Sequence, residues 1–561
     1  FDPDEISRTV ALLTVQNLRL HLVGNRYENQ CTLTDPWYNG KYTKSNEVNR
    51  DWFNSWKNVS VVDAEDMDLH LPKKNEFLAE DLSLRAKPDE KSDIPIKILD
   101  SGLCQAWWKQ DDMFGLPKSK IGIRLYSSFS SDNVRNSVIT SFWCSALMEE
   151  LNEYAYDAEV AGLYYSLSGN SVGVTLMVAG FNDKLELLLD VVVNKMRSLN
   201  EIKEVTFDLI KDKLVRSYRN AAFKQKPYVL ASHQTWELIH QKNFPMVEQL
   251  EELEKMVPSD VAGVNELLLS NCFLEALYEG NVTKREAFSC IKSVVSTLDM
   301  KRAFSKLPVN REGTLPEGLT QWNVRDVLDE EEKNNCARFC IQIPNTLSNN
   351  ALLRVLSQSM QAKFFANLRT KQQLGYIVSS TFSILQGYLY LICYVQTEYP
   401  LDYVQSRIEA FLAEFWSSML HGDIDGNDFN KFKDAVITKL AVQPKSYTEE
   451  FGRHWSCIFD RSYDFYKRQH LIEYISGIDM KLLQSFITDC VLKSPRLFVL
   501  VKSPLYTDKH KELEAKVGNN YAKPSSPDRV WQSRAERLDF HSTTTWTKQN
   551  DIIPALATSQ L

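Results

Sequence analysis

The chain has 561 residues. That is long enough for more than one core, since a single core rarely grows past roughly 250–300 residues. Apolar residues make up 43% and charged residues 25%, a globular balance that excludes a disordered chain. A net charge of −8 argues against a dedicated nucleic-acid binder, and no run of about 20 apolar residues is present to span a membrane.

The sequence opens on Phe1 rather than methionine and shows no signal-peptide pattern, so something upstream is expected to have been removed. "DEISRTVALLTV" predicts a helix and "NLRLHLVG" a strand, followed by a polar, aromatic loop. A strand with no evident partner reads as the tail of a domain whose body lies elsewhere. Residues 71–100, with "PKKNEF" and "AKPDEKSDIP", have the composition of a linker. A second polar stretch, "LPVNREGTLPEGLTQWNVRD" (307–326), separates two longer folded blocks. Ten scattered cysteines are too few for a disulfide scaffold and point to a reducing compartment. Asn58 ("NVS") and Asn281 ("NVT") match the glycosylation pattern but are expected to be silent. The terminal "TSQL" loosely resembles a peroxisomal address.

The two blocks look alike. In the first, "SVITSFWCSALMEELNEYAYDAEVAGLYYSL" predicts helix, then Gly162, then strand; "SVGVTLMVAG" and the helical "KLELLLDVVVNKM" come next. In the second, "NALLRVLSQSMQAKFFANLRTKQQLGYIVSS" passes through Gly375 into a strand, then "GYLYLICYVQ" and the helical "LDYVQSRIEAFLAEF". Gly162 matches Gly375, and Gly173 nearly matches Gly387. This order predicts an α+β fold of tandem domains, each a mostly antiparallel sheet with helices on one face. Leu353, Leu356, Met360, Phe364 and Leu368 fall on one helical face, which puts Arg369 in the last turn and gives Gly375 the task of leaving it.

Candidate chemistry is sparse. His233, Glu237 and His240 in "HQTWELIH" are spaced i, i+4, i+7 and could in principle hold zinc, although an amphipathic helix with a surface histidine has the same pattern. "HLIEY" (470–474) has the His470 and Glu473 of the inverted motif H-x-x-E-H, but Tyr474 stands where the second imidazole must be. Cys336 and Cys340 are four apart in a predicted strand and fit a core. No G-x-S-x-G elbow or Gly-rich phosphate loop occurs. Arg369 and Tyr376 remain: a permanent forked cation and a directional phenol suit holding a carbonyl or oxyanion, not acting as a base. On spacing alone, Arg369 could equally complement the helix C-terminus with Tyr376 packed beneath it.

"LRTKQQLGY" closely resembles the arginine–tyrosine segment in the C-terminal half of the insulinase/pitrilysin family of inverted-motif zinc peptidases, on the side of its insulin-degrading branch. "LPKKNEF" (71–77), "WWKQDDMFGLPK" (107–118), "LNEYAYDAEVAGLYYSL" (151–167) and "GFNDK" (180–184) resemble further landmarks in the same order. The resemblance implies two bowls, each of two homologous αβ domains, closing around a peptide chamber, with zinc held by the N-terminal half and no metal site in this half. It implies residues 1–63 as the tail of the second peptidase-type domain and 64–100 as the inter-half linker. Residues 101–310 would be the third αβ domain, 311–326 a connector, 327–540 the fourth domain and 541–561 a tail. Arg369 and Tyr376 would then stabilise the gem-diolate at the scissile carbonyl, with Phe365 and Gly375 at a substrate-binding surface, although a helix-core place for Phe365 stays open. Phe364 stands where relatives can carry a thiol, and "QPKSYTEE" (443–450) keeps only part of a polyanion-binding basic cluster.

The implied partners are the N-terminal catalytic half, in cis or in trans, and peptide substrates, with no nucleic acid and no membrane; a homodimer through this half stays open. The implied location is cytoplasmic or peroxisomal. A non-catalytic scaffold subunit of the same fold is the principal rival, and an independent zinc enzyme built on His233, Glu237 and His240 is a third reading.

Overall fold

The computed structural model describes residues 2–44, 50–57, 73–87, 92–301, 306–421, 425–505, 507–517, 526, 528–531 and 534–547. Asn58, the 63/64 boundary and the terminal "TSQL" lie outside them. The chain divides into two units, 1–75 and 76–561.

In the first unit a helix spans Pro3–Val10, its start fixed by the Asp2 carboxylate, which accepts from the Asp4 and Glu5 amides. A two-stranded ladder (Leu33–Thr34 with Lys41–Tyr42) and a helix Arg50–Lys57 come after it. The strand expected from "NLRLHLVG" does not form. Leu18, Leu20 and Leu22 are exposed, and no ladder partner is present among the described residues. The alternation is there, but a strand exists only when another backbone satisfies it.

The second unit carries two six-stranded sheets. The first consists of β1 (Ile96–Asp100), β2 (Cys104–Gln110), β3 (Lys118–Ser127), β4 (Tyr164–Asn170), β5 (Gly173–Phe181) and β6 (Cys272–Gly280), in the order β1-β2-β6-β3-β5-β4. The second consists of β7 (Thr320–Asp326), β8 (Asn335–Pro344), β9 (Ile377–Ile384), β10 (Tyr388–Thr397), β11 (Arg496–Lys502) and β12 (Arg529–Trp531), in the order β12-β7-β11-β8-β10-β9. Five strands correspond one for one. The sixth differs: β1 precedes its block and pairs antiparallel, whereas β12 comes near the chain's end and pairs parallel. Most other pairs are antiparallel, so the fold is α+β with an internal repeat, as the sequence predicts.

Among the helices that frame the two sheets and the sites they carry are α1 (Val134–Glu150), α2 (Asn182–Ser198), α3 (Pro227–Ile239), α4 (Met246–Lys255), α5 (Lys284–Thr297), α6 (Leu347–Phe365), α7 (Leu401–His421), α8 (Tyr447–Phe459), α9 (Lys467–Ser476) and α10 (Arg534–Thr543). Each sheet buries one face under helices of its own block: α1, α2 and α5 on the first, α6 and α7 on the second. The other faces are covered by exchange. Ala231, Leu238 and Ile239 of α3, from the first block, pack on Cys336, Cys340, Tyr390 and Val499 of the second sheet. Phe451, Trp455 and Ile458 of α8, from the second block, pack on Trp107 and Leu277 of the first. The period-two pattern of β8 serves both layers, with Cys336 and Cys340 facing α3 and Ala337, Phe339 and Ile341 facing the block's own helices.

Asn281 is buried, and its amide side chain bonds the Arg85 amide, the Ser83 carbonyl and Asn182, which leaves no acceptor for a glycan. Glu312, also buried, accepts from the Gly387 and Tyr388 amides at the β9–β10 turn. Burial pushes its carboxyl up to about 7, outweighing those amide bonds. A carboxylate raised from its usual 4.5 binds its proton more tightly in the folded chain, so the stability it contributes falls as pH rises from about 5 to about 7. Glu312→Gln should flatten that part of the stability–pH curve by on the order of 2 kcal/mol relative to wild type, read from urea melts at the two pH values.

Candidate functional site

The segment that carries Arg369 begins at α6, whose start is fixed by the Thr346 hydroxyl accepting from the Asn349 amide. Leu353, Leu356, Met360, Phe364 and Leu368 are all fully buried on one face, with Phe364 edge-on to Phe411 at 5.1 Å. Beyond Phe365 the helix widens into a π-helical turn, Ala366–Lys371. Such turns cluster at functional sites because the wider ring re-aims the side chains it carries.

The helix end is built by three hydrogen bonds. The Gln372 amide donates to the Asn367 carbonyl, the Leu374 amide to the Leu368 carbonyl, and Thr397 Oγ1 to the Leu374 carbonyl at 2.5 Å. The left-handed residue is Gln373, at φ +53°, and not Gly375 as the sequence pattern suggests. Gly375 serves close approach: a Cβ there would stand 1.9 Å from the Gln396 carbonyl oxygen of β10. Behind the turn, Arg407 Nε of α7 donates to Gln372 Oε1 at 2.7 Å, and Gln372 in turn donates to Asn367 Oδ1.

This frame turns three side chains outward. Phe365 is 40% exposed, so it is no core residue, and Tyr376 is 81% exposed, so its ring lies against the arginine at the surface and not in the core. The Arg369 guanidinium carbon lies 4.8 Å from the Phe365 ring centroid and 4.4 Å from that of Tyr376. Two cation–π contacts of ~0.5–1 kcal/mol each orient the fork without cancelling its charge. Among the described residues no carboxylate pairs with Arg369, and its side chain makes no hydrogen bond. An oriented, half-exposed cation beside a phenol can receive a carbonyl oxygen or an oxyanion.

The other candidates separate. α3 ends at Ile239, and His240 has extended backbone, so His233, Glu237 and His240 do not share a helical face. His470 lies on α9 against Asp464 at 3.3 Å and belongs to no group of three potential metal ligands among the described residues. Among the described residues the single group of His, Cys, Asp and Glu whose ligand atoms lie within 4.8 Å of one another is Glu279, Glu450 and His454. Sequence spacing could not reveal it, because its members come from β6 and α8, about 170 residues apart. Lys109 of β2 already supplies the cation there, 3.1 Å from Glu450 Oε1, while His454 Nδ1 meets Glu279 Oε2 at 2.9 Å. All four side chains are buried, which leaves no open position for a reacting molecule. The group is an ion-pair seam under the exchanged helix and does not fit a catalytic zinc. The "QPKSYTEE" segment is the start of that helix, capped by Ser446.

A family model described as the middle or third domain of peptidase M16 matches residues 1–252, and one described as the PQQ synthase PqqF-like C-terminal lobe domain 4 matches residues 355–455. Fold and segment together therefore define a member of the M16, or insulinase/pitrilysin, peptidase family. More particularly, the chain corresponds to the C-terminal half of the insulin-degrading-enzyme type. It is 30% identical to insulin-degrading enzyme of Homo sapiens over 88% of this chain and 48% of that protein. It is 28% identical to the peroxisomal insulin-degrading enzyme-like 1 of Arabidopsis thaliana over 88% of this chain and 50% of that protein. The crystal structure of pitrilysin matches with a TM-score of 0.80 at 19% identity, over 98% of this chain and 56% of that one, and shows the common fold. The chain spans about half the length of the curated relatives it matches.

Proposed function

We propose that this chain is the substrate-enclosing half of a zinc metalloendopeptidase acting on small peptides, with zinc held by residues of an N-terminal half outside this chain. The supporting observation is Arg369, a cation with no counter-ion among the described residues, aimed by two exposed rings and fixed from behind by the Arg407–Gln372 bond. Bound zinc would supply the activated water and polarise the carbonyl. Arg369 and the Tyr376 hydroxyl would hold the developing oxyanion from the opposite wall, and Phe365 would offer an apolar surface to a substrate side chain. An inert wall of the same fold has no use for an oriented, unpaired guanidinium. The reading carries a cytoplasmic or peroxisomal location, in keeping with ten unpaired cysteines and no described helix long and apolar enough to cross a membrane.

The test joins the chain to the N-terminal half of a relative and measures cleavage of a quenched peptide with and without chelator. Chelator-sensitive hydrolysis should appear only in the joined protein, and Arg369→Ala should lower kcat/KM by roughly 100–1000-fold. Hydrolysis by this chain alone, or an unchanged Arg369→Ala, would overturn the reading.

A further inference from the structure

A cavity of about 800 Å³ opens where α3, the first turn of α4, the end of β7 and α10 meet. It lies within the range of ~300–1,000 Å³ usual for small-ligand pockets. Besides the exposed side chains of Asp326 and Lys502, two half-buried opposite charges face it without a hydrogen-bond or ion-pair partner among the described residues. Arg325 of β7 makes no side-chain hydrogen bond or ion pair there, and its Nε is buried and unbonded. The Glu237 carboxylate of α3 likewise accepts no hydrogen bond from them, although each group feels the other's field. Arg537, by contrast, is bonded to Glu248, so that pair is already neutral.

Burial pushes the Glu237 carboxyl up to about 7 against the pull of Arg537 and Arg325, as expected of a carboxylate that lacks a counter-ion. Unpaired charges withdrawn even partly from water are costly to maintain. A simple anion would answer Arg325 but confront Glu237, and a simple cation would do the reverse. A zwitterion answers both. The first turn of α4, whose amides have no side-chain cap, adds positive potential at the cavity wall. Leu230, Val247 and Val324 add aliphatic surface to a wall that is otherwise mixed, with His233, Gln234 and Glu251 among its polar members.

We propose that this cavity binds a short peptide with both ends free, its carboxylate on Arg325, its ammonium on Glu237 and an aliphatic side chain against Leu230 and Val324. The site is separate from the Arg369 segment, and binding to it is readable in this chain whether or not the peptidase reading holds.

Isothermal titration of the whole chain with alanyl-leucine tests it. Saturable one-to-one binding is expected, with N-acetyl-alanyl-leucine amide giving none. Arg325→Gln and Glu237→Gln should each weaken binding by roughly tenfold or more. Val247→Trp, which fills the cavity from its exposed rim, should abolish binding while leaving the fold intact by circular dichroism. Equal binding of the blocked peptide, wild-type affinity in the charge variants, competition by inorganic phosphate as effective as the dipeptide, or no heat with alanyl-leucine would each overturn the proposal.

Discussion

Lys109→Met should destabilise the chain by ~3–5 kcal/mol, the usual consequence of removing one partner from a buried ion pair. The Lys109 side chain is only 2% exposed, and its ammonium lies 3.1 Å from Glu450 Oε1 and 3.3 Å from Asp112 Oδ1. Burial alone would pull its pKa down, but the fields of Glu450 and Glu279 outweigh that penalty and hold it above the usual lysine value. Glu279 is as deeply buried, with Oε1 unbonded and its carboxyl raised by burial. Methionine fills the space of the lysine stem, so packing is preserved and charge alone is tested. Glu450 and Glu279 would then share one wall of the seam with only His454 to answer them.

Urea unfolding at neutral pH reads the effect, and Lys109→Met combined with Glu450→Gln and Glu279→Gln should recover a large part of it. A loss under about 1 kcal/mol in the single variant would mean that water reaches the seam. The seam joins sheet and exchanged helix, so the same variant should also loosen α8, seen as faster amide exchange over 447–459 than in the rest of the second block.

What the sequence made legible was local. The face Leu353, Leu356, Met360, Phe364 and Leu368 could be read because helical period and apolar identity coincide, and every member is buried. Arg369 and Tyr376 stood out because few other residues offered chemistry. The repeat was visible because hairpin and helix recur in one order. The exchange of α3 and α8 was hidden, since periodicity identifies an apolar face but not what covers it.

The seam was hidden for a related reason. Lys109, Glu275 and Glu279 are charged residues within strands, positions that ordinarily mark a solvent-facing surface, yet all three are buried. Long-range partners, Glu450 for Lys109, His454 for Glu279, and Tyr126, Tyr463 and Arg461 for Glu275, make that burial tolerable. At the helix end, glycine drew the left-handed assignment on propensity, while hydrogen bonds from Leu374 and Thr397 hold Gln373 in that conformation.

Gly375→Ala should cost more than ~3 kcal/mol of stability and disorganise the Arg369 segment at the same time. The added Cβ would stand 1.9 Å from the Gln396 carbonyl oxygen and 3.0 Å from its carbon. Both are backbone atoms of β10, where Gln396 is paired with Ile377, so no side-chain rotation relieves the overlap. The relief left is to push β9 away from β10 at its first pair, or to displace the turn between Leu368 and Tyr376. The second route breaks the Leu374–Leu368 and Thr397–Leu374 bonds that carry the turn. Either route moves Tyr376 off Arg369, whose guanidinium would then keep one ring instead of two.

The two consequences can be separated. Thermal unfolding reports the strain, while near-ultraviolet circular dichroism and the fluorescence of a Tyr376→Trp background report the ring–cation stack. Wild-type stability in Gly375→Ala would show that β9 is not held against β10 at this point. A destabilised variant with an unchanged stack would show that Arg369 is positioned by α6 and its π-helical turn alone, independently of strand β9.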